Sequence, residues 1–324
     1  MSPQAPVCYL IHNGFISFQR QTRGIAQHLN MPIEEIVIKP SKVMAYCPLS
    51  LQLIYYYFYF KKQFSIKPCV LIASGRGMIP VVLALKFLCK EKAFAIFIQK
   101  PSFGARFFDL IIAPEHDALQ GANVLHSMGA INDFSVETFK KPSPFTQALL
   151  EKIKVKPLVG VLIGGKTNKY DFNDRQHAAF ILILQKMVNE TEASFVFVSS
   201  RRSGTSFEKE LKEKFKDNPR VFVYTSDAAY NPYFDVLCSA DYLLITEDSV
   251  NMISEACFTG HPVYLLSLPE FDSGKRKSQF VQSMIKSKKL RHYEGFLESW
   301  GYTPLNEAQR LTPEVRARMA HLTS

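Results

Sequence analysis

Two polar residues near the end of the chain have the spacing of a helical binding face. Asn251 and Glu255 are four residues apart, in a segment whose pattern predicts a strand end, a polar turn and a short helix. Thr246 would end the strand, and Asp248 or Ser249 could cap the helix. A helix N-terminus attracts an anion and a glutamate accepts hydrogen bonds from two hydroxyls, so the segment predicts a site for a ligand with phosphates and a diol. The alternative is a capped crossover helix with a surface glutamate.

Two further turns in the second half of the chain carry groups suited to phosphate. Gly164, Gly165 and Lys166 follow an apolar strand, where glycines let backbone N–H groups approach an anion. Arg201 or Arg202 follows another strand and could hold a diphosphate in a bidentate way. The spacing is not that of a Walker A motif, and a structural turn with ordinary surface arginines is the competing interpretation.

The first half of the chain offers a second set of polar groups. They follow predicted strands and are expected at one edge of a sheet: Asn13, Gly14, Arg76, Glu115, His116 and Asp117. His116 lies between two carboxylates, so it is the candidate general base with Glu115 beside it, and a histidine that ties down a loop is the alternative. No metal site is predicted, since the pattern Asp171-Phe-Asn-Asp174 is more typical of a helix cap. No cofactor is predicted either.

Alternating strands and helices must position these residues. Apolar runs predict five parallel strands in each half, with helices between them, and a Lys-Lys-Pro-Ser-Pro break separates the halves at 140–144. The predicted fold class is therefore α/β, with two tandem doubly wound, Rossmann-like domains and a cleft between them. The predicted boundaries are 1–143 for the first, acceptor-side domain, 144–302 for the nucleotide-binding domain and 303–324 for a final helix that packs back on the first domain. That helix is expected to begin at Thr312-Pro313.

Composition limits the partners. The chain has 39 Lys and Arg against 29 Asp and Glu, a net charge of +10 that favours anionic partners. No nucleic-acid motif accompanies this charge, so nucleic acid is not expected. The aromatic run Leu49–Phe60 before Lys61 and Lys62 suits either a helix at a membrane interface or a helix packed on the core. The six cysteines are typical of buried thiols in a reducing compartment, and a cytoplasmic location is expected, with peripheral attachment at the inner face of the membrane as a further expectation.

Several stretches in order along the chain resemble the ELM-type mitochondrial fission family, whose bacterial members are of unknown function. They are Ala73–Gly77, Phe108–Asp117, Ile163–Lys166, Ser199–Ser203 and Thr246–Ala256. The helix 249–255 and the Gly-x-Pro after it are also similar to the donor half of GT-B glycosyltransferases. The resemblance implies the GT-B architecture, a nucleotide-sugar donor and transfer without a metal.

One turn departs from the family pattern. Where relatives commonly have a turn with aspartate, lysine, glycine and histidine, this chain has Asn13, Phe15, Ser17 and Phe18. The acceptor-side turn therefore lacks the base that the resemblance implies. The leading hypothesis is a GT-B-like glycosyltransferase with an unknown acceptor. The alternative is a non-catalytic GT-B-like protein that acts in membrane or partner binding, and an apolar plug at Phe18 would favour it.

Overall fold

A computed structural model describes residues 6–39, 41, 44, 46–135, 137, 143–168, 170–228, 230–272 and 274–322. The chain divides into two compact units, Met1–Phe134 with Asn306–Ser324 and Ser135–Leu305. The predicted break at 140–144 lies mostly outside the described residues. The α/β fold class with two doubly wound domains is confirmed, because each unit contains a parallel sheet of six strands.

The first unit is built on a sheet of order β2-β1-β3-β4-β5-β6. Its strands are β1 Val7–His12, β2 Ile33–Val37, β3 Cys69–Ser74, β4 Ala93–Ile98, β5 Leu110–Pro114 and β6 Val124–Ser127. Its helices are α1 Ile16–Ala26, α2 Leu49–Lys61 and α3 Ile79–Cys89. Side chains alternate along β1, so Tyr9 packs in the core with α2 and α3, whereas Leu10 packs on the opposite face with α1.

The second unit has a sheet of order β12-β11-β10-β7-β8-β9. Its strands are β7 Leu158–Ile163, β8 Ser194–Ser199, β9 Val221–Tyr224, β10 Tyr242–Thr246, β11 Val263–Leu266 and β12 Arg291–His292. Its helices are α4 Pro144–Lys152, α5 Asp174–Glu190, α6 Thr205–Phe215, α7 Tyr233–Ser239, α8 Val250–Phe258 and α9 Gly274–Lys286. One face packs on α5 and α6. On the other face α7 lies so close that a Cβ on Gly160 would come within 2.4 Å of Val236.

The last helix, α10 Glu307–Arg318, packs on the sheet of the first unit. Its Glu307 carboxylate accepts a hydrogen bond of 2.7 Å from the Met128 amide. The expected start at Thr312 is wrong, because Asn306 caps the helix through the Gln309 amide and Pro313 lies inside it. A sequence-based start at Pro313 failed because the tertiary contacts of the preceding turn stabilise an earlier start.

Candidate functional site

The chain reverses its direction of travel across each sheet at one pair of strands, and ligands of open α/β sheets bind beside such a pair at the carboxyl ends. In the second unit this pair is β7 and β10, which are direct neighbours with Ile245 opposite Leu162. The turns that follow the two strands hold the glycines of the predicted phosphate turn and the residues before α8. The fold therefore brings most of the sequence-predicted nucleotide residues to one point of the sheet edge.

The glycine turn is held by side chains from the opposite turn. The Gly164 amide donates to the Thr246 hydroxyl at 2.7 Å, and the Gly165 amide donates to the Asp248 carboxylate at 3.2 Å. A Cβ on Gly164 would lie 2.1 Å from both Asp248 oxygens, so that position requires glycine. These two amides already have acceptors within the protein, and the expected phosphate contact would have to come from neighbouring groups.

Asp248 links three turns, which follow β7, β8 and β10. Its side chain is fully buried and lies 2.7 Å from the guanidinium of Arg202 and 2.7 Å from the hydroxyl of Thr246. Lys277 donates to its main-chain oxygen at 2.5 Å. Sequence reasoning treated Asp248 as a helix cap, because neither spacing nor residue type indicates that a carboxylate will be buried. Arg202 is thus held at the site by an ion pair, as a positively charged group beside the glycine turn.

Ser249 caps α8, the helix that follows β10, and Glu255 lies in the second turn of this helix. The Ser249 hydroxyl caps the helix through the Met252 amide at 3.4 Å. The Tyr233 hydroxyl of α7 donates to the Glu255 carboxylate, and Tyr233 is itself held by a 3.0 Å bond from its amide to Asn231. Asn251 and Glu255 are both half-buried, so the helix face that they share remains partly open to solvent.

The two remaining cations of the site differ in their surroundings. Lys166 is exposed and pairs with Asp171 at 2.5 Å, and its amide donates to the Arg202 carbonyl at 2.8 Å. Arg201 is also exposed, and among the described residues it has no ion pair or hydrogen bond. Its guanidinium is therefore the cation of this turn that a ligand could recruit without breaking an existing contact.

In the first sheet the direction reverses between β1 and β3, and the turns after these strands hold Asn13, Gly14 and Arg76. Asn13 accepts from the Phe15 amide at 3.2 Å, and Arg76 is exposed. The ring of Phe18 covers the turn after β3, since a Cβ on Gly75 would lie 3.0 Å from it. The turn that departs from the family pattern thus places an apolar ring at the edge where a polar acceptor side was expected.

His12 is a polar residue of this edge that the sequence-based set missed. Its side chain is buried, Nδ1 accepts from the Gly14 amide at 3.1 Å, and Nε2 lies 3.4 Å from Glu35. The only signal for it was its place at the end of an apolar strand.

Glu115, His116 and Asp117 form a short 3-10 turn after β5. β5 is two strands from β3 in the sheet, so at about 4.8 Å per strand the two strand ends are roughly 10 Å apart. His116 and Asp117 are half-buried, and Glu115 is exposed. The three residues therefore share an edge with Arg76 without lying beside it.

Burial raises the pKa of several titratable groups in both units. Burial raises the pKa of Glu247, and the adjacent Asp248 adds to that rise. Burial also raises the pKa of Cys8, Cys238 and Cys257 to about 12, so these three thiols are protonated at neutral pH. All six cysteines are free.

Two parallel-sheet units of this kind place the protein in the GT-B fold class. Among solved structures it is similar to UDP-GlcNAc 2-epimerase of Methanocaldococcus jannaschii in complex with UDP-GlcNAc and UDP, with a TM-score of 0.56 and 12% identity over 96% of this chain and 99% of that one. It is also similar to MurG of Acinetobacter baumannii, with a TM-score of 0.51 and 11% identity over 98% of this chain and 93% of that one.

Residues 18–319 match the family model of mitochondrial fission ELM1, and the chain belongs to that family. It is 27% identical to the uncharacterized protein RP120 of Rickettsia prowazekii (strain Madrid E), over 78% of this chain and 80% of that protein. It is 26% identical to mitochondrial fission protein ELM1 of Arabidopsis thaliana, over 78% of this chain and 64% of that protein. The family resemblance predicted from the sequence is confirmed.

Proposed function

We propose that the second unit binds a nucleotide sugar at the carboxyl ends of β7 and β10, and that the protein is a glycosyltransferase whose transfer step needs no metal. The observation that carries the proposal is the pair of Glu255 and Tyr233 beside the capped start of α8. A carboxylate held in this way can accept hydrogen bonds from a ribose diol, and the helix start suits an anion. That the epimerase of the same fold was solved with UDP-GlcNAc and UDP supports this choice of ligand.

Charge at the same edge suits the leaving group of a transfer reaction. Arg202 is held by Asp248, and Arg201 is exposed without an ion pair among the described residues. A diphosphate that departs from a sugar gains negative charge, and preorganised cations stabilise that charge in the transition state. The second unit would thus supply donor binding and charge stabilisation.

Replacing Glu255 with alanine is expected to weaken binding of UDP and UDP-GlcNAc by about 1 to 3 kcal/mol, because a charged hydrogen-bond acceptor for the diol is lost. Titration calorimetry of the wild type and the variant measures this difference. Glu294→Ala removes an exposed carboxylate of the same unit and should leave affinity unchanged. No heat of binding from the wild type with UDP, ADP or UDP-GlcNAc at millimolar concentration would contradict the proposal.

A second function, attachment to an anionic membrane surface, is favoured by the outer face of α2. Residues at helical spacing form an exposed apolar stripe on this helix, followed by Lys61 and Lys62: Leu51, Ile54, Tyr55, Phe58 and Tyr59. Tyr55 and Tyr59 stack with ring centroids 6.1 Å apart. Aromatic side chains next to lysines suit the headgroup region of a bilayer. Among the described helices, none has the length and apolarity needed to cross a bilayer.

Membrane attachment of this kind should be weak and sensitive to salt. Each lysine near an anionic surface contributes about 1 kcal/mol, so Lys61→Glu with Lys62→Glu should reduce partitioning onto phosphatidylserine vesicles by at least roughly 30-fold. Sedimentation with vesicles measures this, and Lys152→Glu with Lys154→Glu makes the same charge change on exposed lysines of the other unit. Binding that does not respond to the acidic lipid content of the vesicles would count against the attachment.

A further inference from the structure

Three potential metal ligands come together on two neighbouring helices of the second unit, α5 and α6. Asp174 and His177 lie one turn apart at the start of α5, and Glu210 comes from the second turn of the adjacent helix α6. One ligand atom from each residue lies within 4.8 Å of the other two. Asp174 and Glu210 are exposed, whereas His177 is buried.

His177 is a buried histidine whose ring nitrogens lack hydrogen-bond partners among the described residues. Only 4% of it is exposed, and its ring packs against Phe172 and Phe207 with centroids 4.6 and 5.4 Å away. Among the described residues, neither ring nitrogen has a hydrogen-bond partner, although Nδ1 lies 3.6 Å from the Asp174 carboxylate. A buried polar group without a partner costs stability, and native proteins commonly resolve such a case with a bound water or ion.

The spacing of His177 and Asp174 is close to that of two ligands in a transition-metal site. Zinc ligands lie about 2.0 to 2.2 Å from the ion, so in a tetrahedron their atoms are about 3.4 Å apart. The separation of 3.6 Å between His177 Nδ1 and the Asp174 oxygen is close to this value. The Glu210 ligand oxygen lies within 4.8 Å of the other two ligand atoms. Its hydrogen bond from the Ser206 hydroxyl is long, at 3.5 Å, so a side-chain rotation that brings Glu210 to the ion would break only a weak contact.

We propose that His177, Asp174 and Glu210 bind a divalent cation of the zinc class, with one imidazole nitrogen and two carboxylate oxygens as ligands. Imidazole favours zinc, cobalt or nickel over magnesium, which prefers oxygen ligands alone. A water molecule fills the fourth position. The ion joins the start of α5 to α6 and gives one of the two buried ring nitrogens of His177 a partner. The three proposed ligands lie on α5 and α6, whereas Glu255 lies on α8.

The local charges do not oppose this assignment. Glu210 and Glu213 lie one turn apart on α6, and both line a groove between α5 and α6. Lys209 and Lys214 of α6 line the same groove. Asp174, Glu210 and Glu213 supply three negative charges against the two positive charges of these lysines. These five side chains therefore carry one net negative charge, which suits the binding of a cation.

The test uses the full chain, stripped with a chelator and titrated with zinc chloride against a chromophoric competitor. We expect one zinc ion per chain and a rise in Tm that magnesium chloride does not produce. His177→Phe, which retains an aromatic ring in the Phe172–Phe207 pocket, should weaken zinc binding by more than about tenfold, since even the loss of an outer-shell partner costs 10- to 100-fold. Asp174→Asn and Glu210→Gln change exposed residues and keep the test valid if the His177 variant fails to fold.

Glu213→Gln is the matched control, because it removes a carboxylate of the same helix that is not among the proposed ligands. It removes a nearby negative charge but no ligand, so it should weaken zinc binding much less than the three ligand variants do. Absence of saturable zinc binding would overturn the proposal. So would zinc binding that none of the three ligand variants weakens, since another group of the chain would then hold the ion.

Discussion

Replacing Asp248 with alanine is expected to lower the free energy of unfolding of the second unit by about 2 to 4 kcal/mol. The substitution leaves Arg202 without its ion pair and the Gly165 amide without an acceptor. Breaking a buried ion pair costs about 3 to 5 kcal/mol, and the partial exposure of Arg202, which is 40% accessible, reduces that loss. Urea unfolding followed by circular dichroism measures the difference.

Two further variants separate this effect from a change in net charge. Asp217→Ala removes an exposed carboxylate of the same unit and should change stability little. Asp248→Asn keeps the shape of the side chain and one hydrogen-bond acceptor. Its free energy of unfolding should therefore lie between those of Asp248→Ala and Asp217→Ala. If Asp248→Ala were as stable as Asp217→Ala, the three turns would not depend on the buried carboxylate for their arrangement.

Replacing His116 with alanine is expected to lower the turnover of a nucleotide-sugar donor by roughly 100- to 10,000-fold, the usual contribution of a general base. This expectation rests on the proposed function, because Phe18 cannot take a proton and His116 is the best candidate base of the first unit. Affinity for UDP should be nearly unchanged, since His116 belongs to the first unit and the proposed nucleotide residues to the second. Donor hydrolysis assays and calorimetry on the same samples measure both quantities.

His292→Ala provides the control for this experiment, because it removes an exposed histidine on β12. Phe18→His restores the residue type common in the family turn, and a rise in donor hydrolysis would indicate that this turn contributes to the reaction. If the wild type turns over and His116→Ala matches it, His116 is not the base. If the wild type binds the nucleotide without turnover, the non-catalytic alternative is favoured, in agreement with the apolar contact between Phe18 and Gly75.

The order of strands and helices could be predicted because each element carries its own local signal. Strands buried on both faces are continuous apolar runs, as in β3 and β7, and helices such as α8 begin at a capping residue. Two strands were missed because their signal is weak: β6 mixes polar and apolar residues, and β12 has only two residues. The architecture of two doubly wound domains followed from such local patterns, whereas the family followed from the resemblance of stretches such as Thr246–Ala256, and both are confirmed.

The chemistry of individual side chains depended on contacts between residues far apart in sequence. Gly164 and Gly165 were predicted to present free amides, yet Thr246 and Asp248, more than 80 residues later, accept those hydrogen bonds. His177 gave no signal in the sequence, because its burial comes from packing against Phe207 on another helix. Local sequence determines which of the longer helices and strands form, although tertiary contacts set the start of α10. Burial, ion pairing and the availability of an amide or a ring nitrogen are decided only when distant elements pack together.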